Sequence, residues 1–197
     1  MLNIMMKKIE IIWCGSASFF DIVENLKNTL IDLDCDVKTI TSYPSYWNNE
    51  VNYIAIPVVV YIDRLMDSMP NNFIFYHIEQ QNSYWMTDNY FKVMDLSKII
   101  WSFCPINELS LPQFREKDIG YVPFGYHKSM SLNNNNRKED YEYDVLFLGS
   151  INERRNNIFD QLRAKGLKVY VGFNVTREEH IRLIMCSKVY LNILLKL

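Results

Sequence analysis

Residues 144–155 read DVLFLGSINERR and show the pattern that decides the fold. The apolar run at 145–148 ends at a Gly149-Ser150 turn, and a polar, arginine-bearing segment follows. A short apolar run predicts a buried strand, and the segment behind the turn predicts a helix over 153–165 that Gly166 ends. Strand, tight turn and helix together form the first β/α unit of an α/β domain.

The same pattern stands near the start of the chain, where KIEIIWC at 8–14 is followed by Gly15-Ser16. Further strands are predicted at 36–40, 53–56, 73–78, 98–103, 119–123, 167–173 and 188–193. Helices are predicted at 19–33, 61–69, 84–96 and 177–186. Strands that are apolar on both faces and alternate with helices favour parallel sheets covered on each side. We therefore predict an α/β protein with a Rossmann-like parallel-sheet domain and the first part of a second one.

A polar, asparagine-rich stretch without apolar periodicity separates the two β/α series. Such composition is typical of a linker between compact units. We predict an N-terminal domain at 1–127, a linker at 128–143 and a partial C-terminal domain at 144–197.

Composition excludes several classes of function. The 197 residues are 49% hydrophobic with a net charge of −2, so no basic surface favours nucleic acid. The apolar runs are shorter than the ~18 residues of a membrane helix, and we identify no signal peptide. Four widely spaced cysteines are typical of reduced core residues, which predicts a cytoplasmic protein.

The turn at Gly149-Ser150 is a candidate anion site. In a parallel sheet it lies at the carboxyl edge, where ligands bind and where a helix N-terminus offers N–H groups to a diphosphate. Arg154 and Arg155 follow closely. Because cations at a helix N-terminus oppose the helix dipole, their presence suggests that an anion binds there. The alternative is that the glycine only forms the turn and the arginines are ordinary surface residues.

A second candidate is Glu79 in the segment HIEQQ at 77–81, which closes the fourth predicted strand. A carboxylate at the carboxyl edge can act as a base or bind a sugar hydroxyl, and the alternative is a capping or salt-bridged surface acid. His77 is predicted to be an interior histidine. No three-glycine dinucleotide fingerprint and no phosphate loop occur, so no cofactor is predicted.

The segments HIEQ at 77–80, VPFGY at 122–126, DVLFLGSINERR at 144–155 and SKVYLNI at 187–193 together resemble GT-B glycosyltransferases of the group 1 type. The resemblance implies two facing Rossmann-like domains, which transfer a sugar from a nucleotide-sugar donor to a sugar or glycan acceptor. No metal is required, because no Asp-x-Asp motif stands where one is needed. The implied roles are diphosphate binding for Gly149, Ser150, Arg154 and Arg155, catalysis for Glu79, and cleft lining for Gly15, Gly125 and Asn192.

The chain ends at Leu197, before the further β/α units of such a domain. A C-terminally truncated second domain, little transfer by this chain alone and self-association through the incomplete sheet are therefore expected. Two alternatives remain open. One is a non-catalytic interaction module derived from a glycosyltransferase, and the other is a doubly wound small-molecule-binding protein unrelated to sugars.

Overall fold

A computed structural model describes residues 7–13, 15, 17–42, 44–56, 70, 72–79, 83, 86–104, 118–131 and 141–193. The chain divides into two compact units, Met1–Met130 and Ser131–Leu197. Each unit contains one parallel sheet. The predicted α/β class with two parallel sheets is thus confirmed.

The first unit holds a six-stranded parallel sheet in the order β2-β1-β3-β4-β5-β6. Its strands are β1 (Lys8–Ile12), β2 (Asp36–Ile40), β3 (Val51–Ala55), β4 (Ile74–His77), β5 (Ile99–Ser102) and β6 (Asp118–Tyr121). Its described α-helices are α1 (Ala17–Asp32) and α2 (Asp88–Leu96). The helix predicted at 61–69, and the start at 84–85 of the helix predicted over 84–96, lie outside the described residues.

Apolar residues cover both faces of this sheet, as the sequence predicts. Along β4 the side chains alternate, so that Phe75 packs in a cluster with Val93 of α2 and Tyr76 packs in a cluster with Val23 of α1. The connection from β2 to β3 places Trp47 against the α2 cluster. Two apolar layers therefore enclose the sheet, which is the condition that buries parallel strands.

The strand order also locates the point in the sheet where the direction of strand addition reverses. β1 lies between β2 and β3. The chain therefore moves from β1 to the strand on one side and then crosses to the strand on the other side. In doubly wound sheets, ligands bind beside the carboxyl ends of the strands at this switch point. Gly15 lies three residues beyond the carboxyl end of β1.

The second unit holds a three-stranded parallel sheet in the order β8-β7-β9. Its elements are β7 (Tyr143–Leu148), α3 (Glu153–Ala164), β8 (Val169–Gly172), α4 (Arg177–Met185) and β9 (Ser187–Tyr190). Its core contains Phe147, Phe159 and Ile193. Asn152 caps α3 by accepting a hydrogen bond from the Arg155 N–H group, and Thr176 caps α4 in the same way.

Two boundaries differ from the sequence prediction. Residues Lys128–Met130, predicted as linker, form a 3-10 turn beside α1. The strand predicted at 188–193 ends at Tyr190, and its side chains after Ser187 are exposed. Among the helices of the described residues, none has the length and hydropathy that a membrane span requires.

Candidate functional site

The turn between β7 and α3 is shaped by close packing. The Gly149 N–H group donates to the Gly172 carbonyl oxygen over 2.9 Å. A Cβ atom at Gly149 would lie 3.0 Å from Cζ of Phe147, closer than side chains normally approach. A side chain at this position would require the Phe147 ring to shift by a few tenths of an ångström, so the packing favours glycine whether or not a ligand binds.

Arg155 lies in the first turn of α3 but points into the second unit. Its side chain is 8% exposed, and its guanidinium group lies 5.0 Å above the ring of Phe147. The two terminal nitrogens donate to the carbonyl oxygens of Ser150 and Ile193. Arg155 thereby joins the β7–α3 turn to the chain that follows β9, which is a structural contact the sequence did not predict.

The remaining predicted residues of this turn are exposed. Ser150 and Arg154 lie at the surface around the start of α3, and Asn192 is exposed next to the buried Ile193. The carbonyl of Ile193 is held by Arg155, as is that of Ser150. Arg155 thus links the backbone at Ser150 to the backbone at Ile193 beneath these exposed side chains. Whether these residues bind a diphosphate stays a prediction.

The electrostatics of the turn favour an anion. Burial, followed by the neighbouring Arg154 charge, lowers the pKa of the Arg155 guanidinium, which still stays charged because arginine does not deprotonate in proteins. Among the described residues, no carboxylate forms an ion pair with Arg155. The helix N-terminus adds partial positive charge, and the exposed Glu153 offsets part of it.

In the first unit, Glu79 lies two residues beyond β4 and is half-buried. Its carboxylate accepts a 2.8 Å hydrogen bond from the Ser83 hydroxyl group. Burial raises the pKa of the Glu79 carboxyl, and the Ser83 bond opposes the rise. A carboxyl group with a raised pKa is a stronger base than an ordinary glutamate, which suits proton abstraction.

His77 closes β4 and is fully buried, as predicted. Its Nδ1 atom lies 2.7 Å from the Tyr90 hydroxyl oxygen, and burial lowers the pKa of His77 to about 4. Within the described part of the chain, its Nε2 atom has no hydrogen-bond partner. The interior position was predictable from alternation with Phe75, but the pairing with Tyr90 was not.

The two predicted glycines of the first unit have different settings. Gly15 has φ of +72°, a left-handed conformation that favours glycine, and it is exposed after β1. Because β1 and β4 are separated by one strand, Gly15 and Glu79 follow strand ends that are roughly 10 Å apart at the same sheet edge. Gly125 lines a small cavity of about 110 Å³ between α1 and residues 122–125.

The sequence did not predict how the segment after β6 is held. Asn25 of α1 donates to the Gly125 carbonyl oxygen. His127 contacts Asp32 of α1 through Nε2 at 3.1 Å and Ser129 through Nδ1 at 2.8 Å. Polar residues at helical spacing were the available signal, since Asn25 and Asp32 are seven residues apart and share a face of α1.

Neither a protein-family model nor a curated protein matches this chain. Among the described residues, no three histidine, cysteine or acidic side chains are grouped as metal ligands. The functional assignment therefore depends on the chemistry of these residues and on the resemblance of their motifs.

Proposed function

We propose that the chain is a glycosyltransferase of the GT-B type, with the donor diphosphate at the β7–α3 turn and Glu79 acting on the acceptor. The Rossmann-like character of the parallel α/β units is compatible with this function but does not specify it. The observation that carries the proposal is the charge of Arg155, which is buried at a helix N-terminus without a carboxylate partner among the described residues.

A buried cation is costly unless an opposite charge or hydrogen bonds compensate for it. The carbonyl groups of Ser150 and Ile193 satisfy two guanidinium nitrogens but leave the net charge in place. A diphosphate at the adjacent surface would supply the missing negative charge. The exposed Arg154 and Ser150 provide direct donors, and Arg155 contributes its field from behind the turn.

In the proposed reaction, an acceptor hydroxyl oxygen forms a bond to the anomeric carbon of the donor sugar. The bond between that carbon and the diphosphate oxygen breaks, and its electron pair stays on the diphosphate. The proton of the acceptor hydroxyl passes to the Glu79 carboxylate, whose raised pKa favours this transfer. Positive charge at the β7–α3 turn stabilises the negative charge that develops on the leaving group.

The test is nucleotide binding followed by thermal unfolding. UDP and GDP at a hundred times their dissociation constant would stabilise the folded protein by about 2.7 kcal/mol. We compare Arg154→Ala with Arg163→Ala, which removes the same charge from an exposed arginine in the last turn of the same helix. Arg154→Ala should weaken nucleotide binding, and Arg163→Ala should leave it unchanged.

A shift with a nucleoside diphosphate but not with the free nucleoside would support diphosphate recognition. The absence of any shift with millimolar UDP, GDP or their sugars would contradict the proposed donor site. Equal effects of Arg154→Ala and Arg163→Ala would assign the binding to general charge and not to this turn.

A further inference from the structure

The cavity between α1 and the segment after β6 lies within the first unit and has a volume of about 110 Å³. Most of its walls are apolar side chains, namely those of Ile22, Leu26, Tyr76, Val122, Pro123 and Phe124. Asn25, Thr29 and Gly125 complete the lining. Because Thr29, Phe124 and Gly125 are exposed, the cavity is open to solvent on that side. Glu79 and the β7–α3 turn are not part of it.

Hydrogen bonds and a ring contact hold the walls of this cavity in place. The Tyr76 hydroxyl group donates to the Val122 carbonyl oxygen over 2.8 Å, and the Asn25 amide donates to the Gly125 carbonyl oxygen. The ring of Phe124 packs edge-on to that of Tyr76, with the centroids 6.1 Å apart. The cavity is therefore formed before a ligand arrives, and such preorganisation lowers the entropic cost of binding.

Two polar groups lie on the α1 wall, one helical turn apart. Asn25 is 8% exposed, and its amide nitrogen is occupied by the Gly125 carbonyl. No described residue donates to the Asn25 amide oxygen, and none bonds to the Thr29 hydroxyl. An amide oxygen accepts a hydrogen bond, and a threonine hydroxyl can donate or accept one. A hydroxyl group of a ligand can therefore bond to both.

Volume and charge restrict the class of ligand. A closed apolar cavity of about 150 Å³ holds a benzene ring. The α1 cavity is smaller but open on one side, so it can take a single ring and not a nucleotide. None of the described lining residues carries a charge, and transfer of an ionised group to apolar walls is costly. The walls therefore favour a neutral ligand.

We propose that this cavity is a binding site for a neutral compound of one ring that carries a hydroxyl group. The ring lies against the aliphatic and aromatic walls, and the hydroxyl bonds to Asn25 and Thr29. The site is separate from the proposed donor and acceptor residues, so it does not depend on the proposed transfer reaction.

Phenol and benzene are the probes, because they share one ring and only phenol has a hydroxyl group. Each is titrated into the full chain, and NMR follows the methyl groups. The methyl signals of Ile22, Leu26 and Val122 should shift with both probes, whereas those of Leu183, buried in the second unit, should stay in place. No shift at millimolar probe, or equal shifts at Leu183, would overturn the site.

Thr29→Val tests the hydroxyl contact, since it replaces a hydroxyl group by a methyl group of similar size. The loss of one hydrogen bond predicts about fivefold weaker phenol binding, with benzene binding unchanged. Thr39→Val makes the same change on β2, outside the lining, and should alter neither affinity. Thr29→Ser keeps the hydroxyl and should retain phenol binding. Unchanged phenol binding in Thr29→Val would contradict the recognition of a hydroxyl group.

Phe124→Leu tests the aromatic wall, because it removes the exposed ring that faces Tyr76. Both probes should bind more weakly to this variant, since each loses its contact with the ring. Phe173→Leu is the matched control, because Phe173 is an exposed phenylalanine of the second unit. It should bind both probes as the unmodified chain does. If Phe124→Leu also binds them unchanged, the probes bind elsewhere and the proposal is wrong.

Discussion

Replacement of Arg155 tests whether the β7–α3 turn depends on a buried guanidinium clamp. Arg155→Met keeps an unbranched side chain over Phe147 but removes the charge and the hydrogen bonds to the Ser150 and Ile193 carbonyls and to the Ser150 hydroxyl. Hydrogen bonds from charged donors contribute about 1.5–3 kcal/mol each, and a buried carbonyl left unpaired costs a similar amount. Water can reach the exposed Ser150, whereas Ile193 is buried. We therefore expect Arg155→Met to lower the free energy of unfolding by about 3 kcal/mol.

The matched control is Arg154→Met, which makes the same change at the neighbouring exposed position. Surface substitutions usually change stability by less than about 0.5 kcal/mol. The stability loss of Arg155→Lys should lie between those of Arg155→Met and Arg154→Met. One ammonium group keeps the charge but does not reproduce the planar guanidinium that reaches two carbonyls.

Urea unfolding with separate probes for the two units measures the effect. The four tryptophans, at positions 13, 47, 85 and 101, belong to the first unit, so their fluorescence serves as an internal reference. Hydrogen exchange followed by mass spectrometry reports on the second unit. Arg155→Met should unfold the second unit at lower urea and leave the tryptophan transition in place. A stability within 0.5 kcal/mol of Arg154→Met would refute the clamp.

Three further predictions concern acid stability, packing and association. Because burial lowers the pKa of His77 from 6.5 to about 4, the unfolded chain binds the proton first, and the first unit should lose up to about 3 kcal/mol between pH 6.5 and 4. Unfolding curves of His77→Gln should show a smaller loss of stability between pH 6.5 and 4. An equal loss in this variant would contradict the assignment of the acid sensitivity to His77. Gly149→Ala should cost about 1–2 kcal/mol because its Cβ meets Phe147. Gly125→Ala should be tolerated in thermal melts, because among the described residues no atom beyond its chain neighbours lies within 4 Å of the added Cβ. Val189 on β9 is 52% exposed, so we expect concentration-dependent self-association in sedimentation that Val189→Lys reduces, and an unchanged association would place the contact elsewhere.

The sequence by itself determined the local elements, because the signals for them are local. A strand was predicted at 36–40, and the structure has β2 at Asp36–Ile40. Gly166 predicted where α3 ends, since a left-handed glycine acts on the backbone next to it. Alternation with Phe75 likewise predicted that His77 is interior.

Only the tertiary structure decided which way the key side chains point and which partners they have. Arg154 and Arg155 are equivalent in sequence, yet one is exposed and the other is buried against the carbonyl of Ile193, 38 residues away. Tyr90 reaches His77 across 13 residues. Such contacts depend on how elements from distant parts of the chain pack together, and neither periodicity nor capping contains that information. The packing therefore made Arg155 a clamp between the β7–α3 turn and the chain after β9, a contact that no motif indicated.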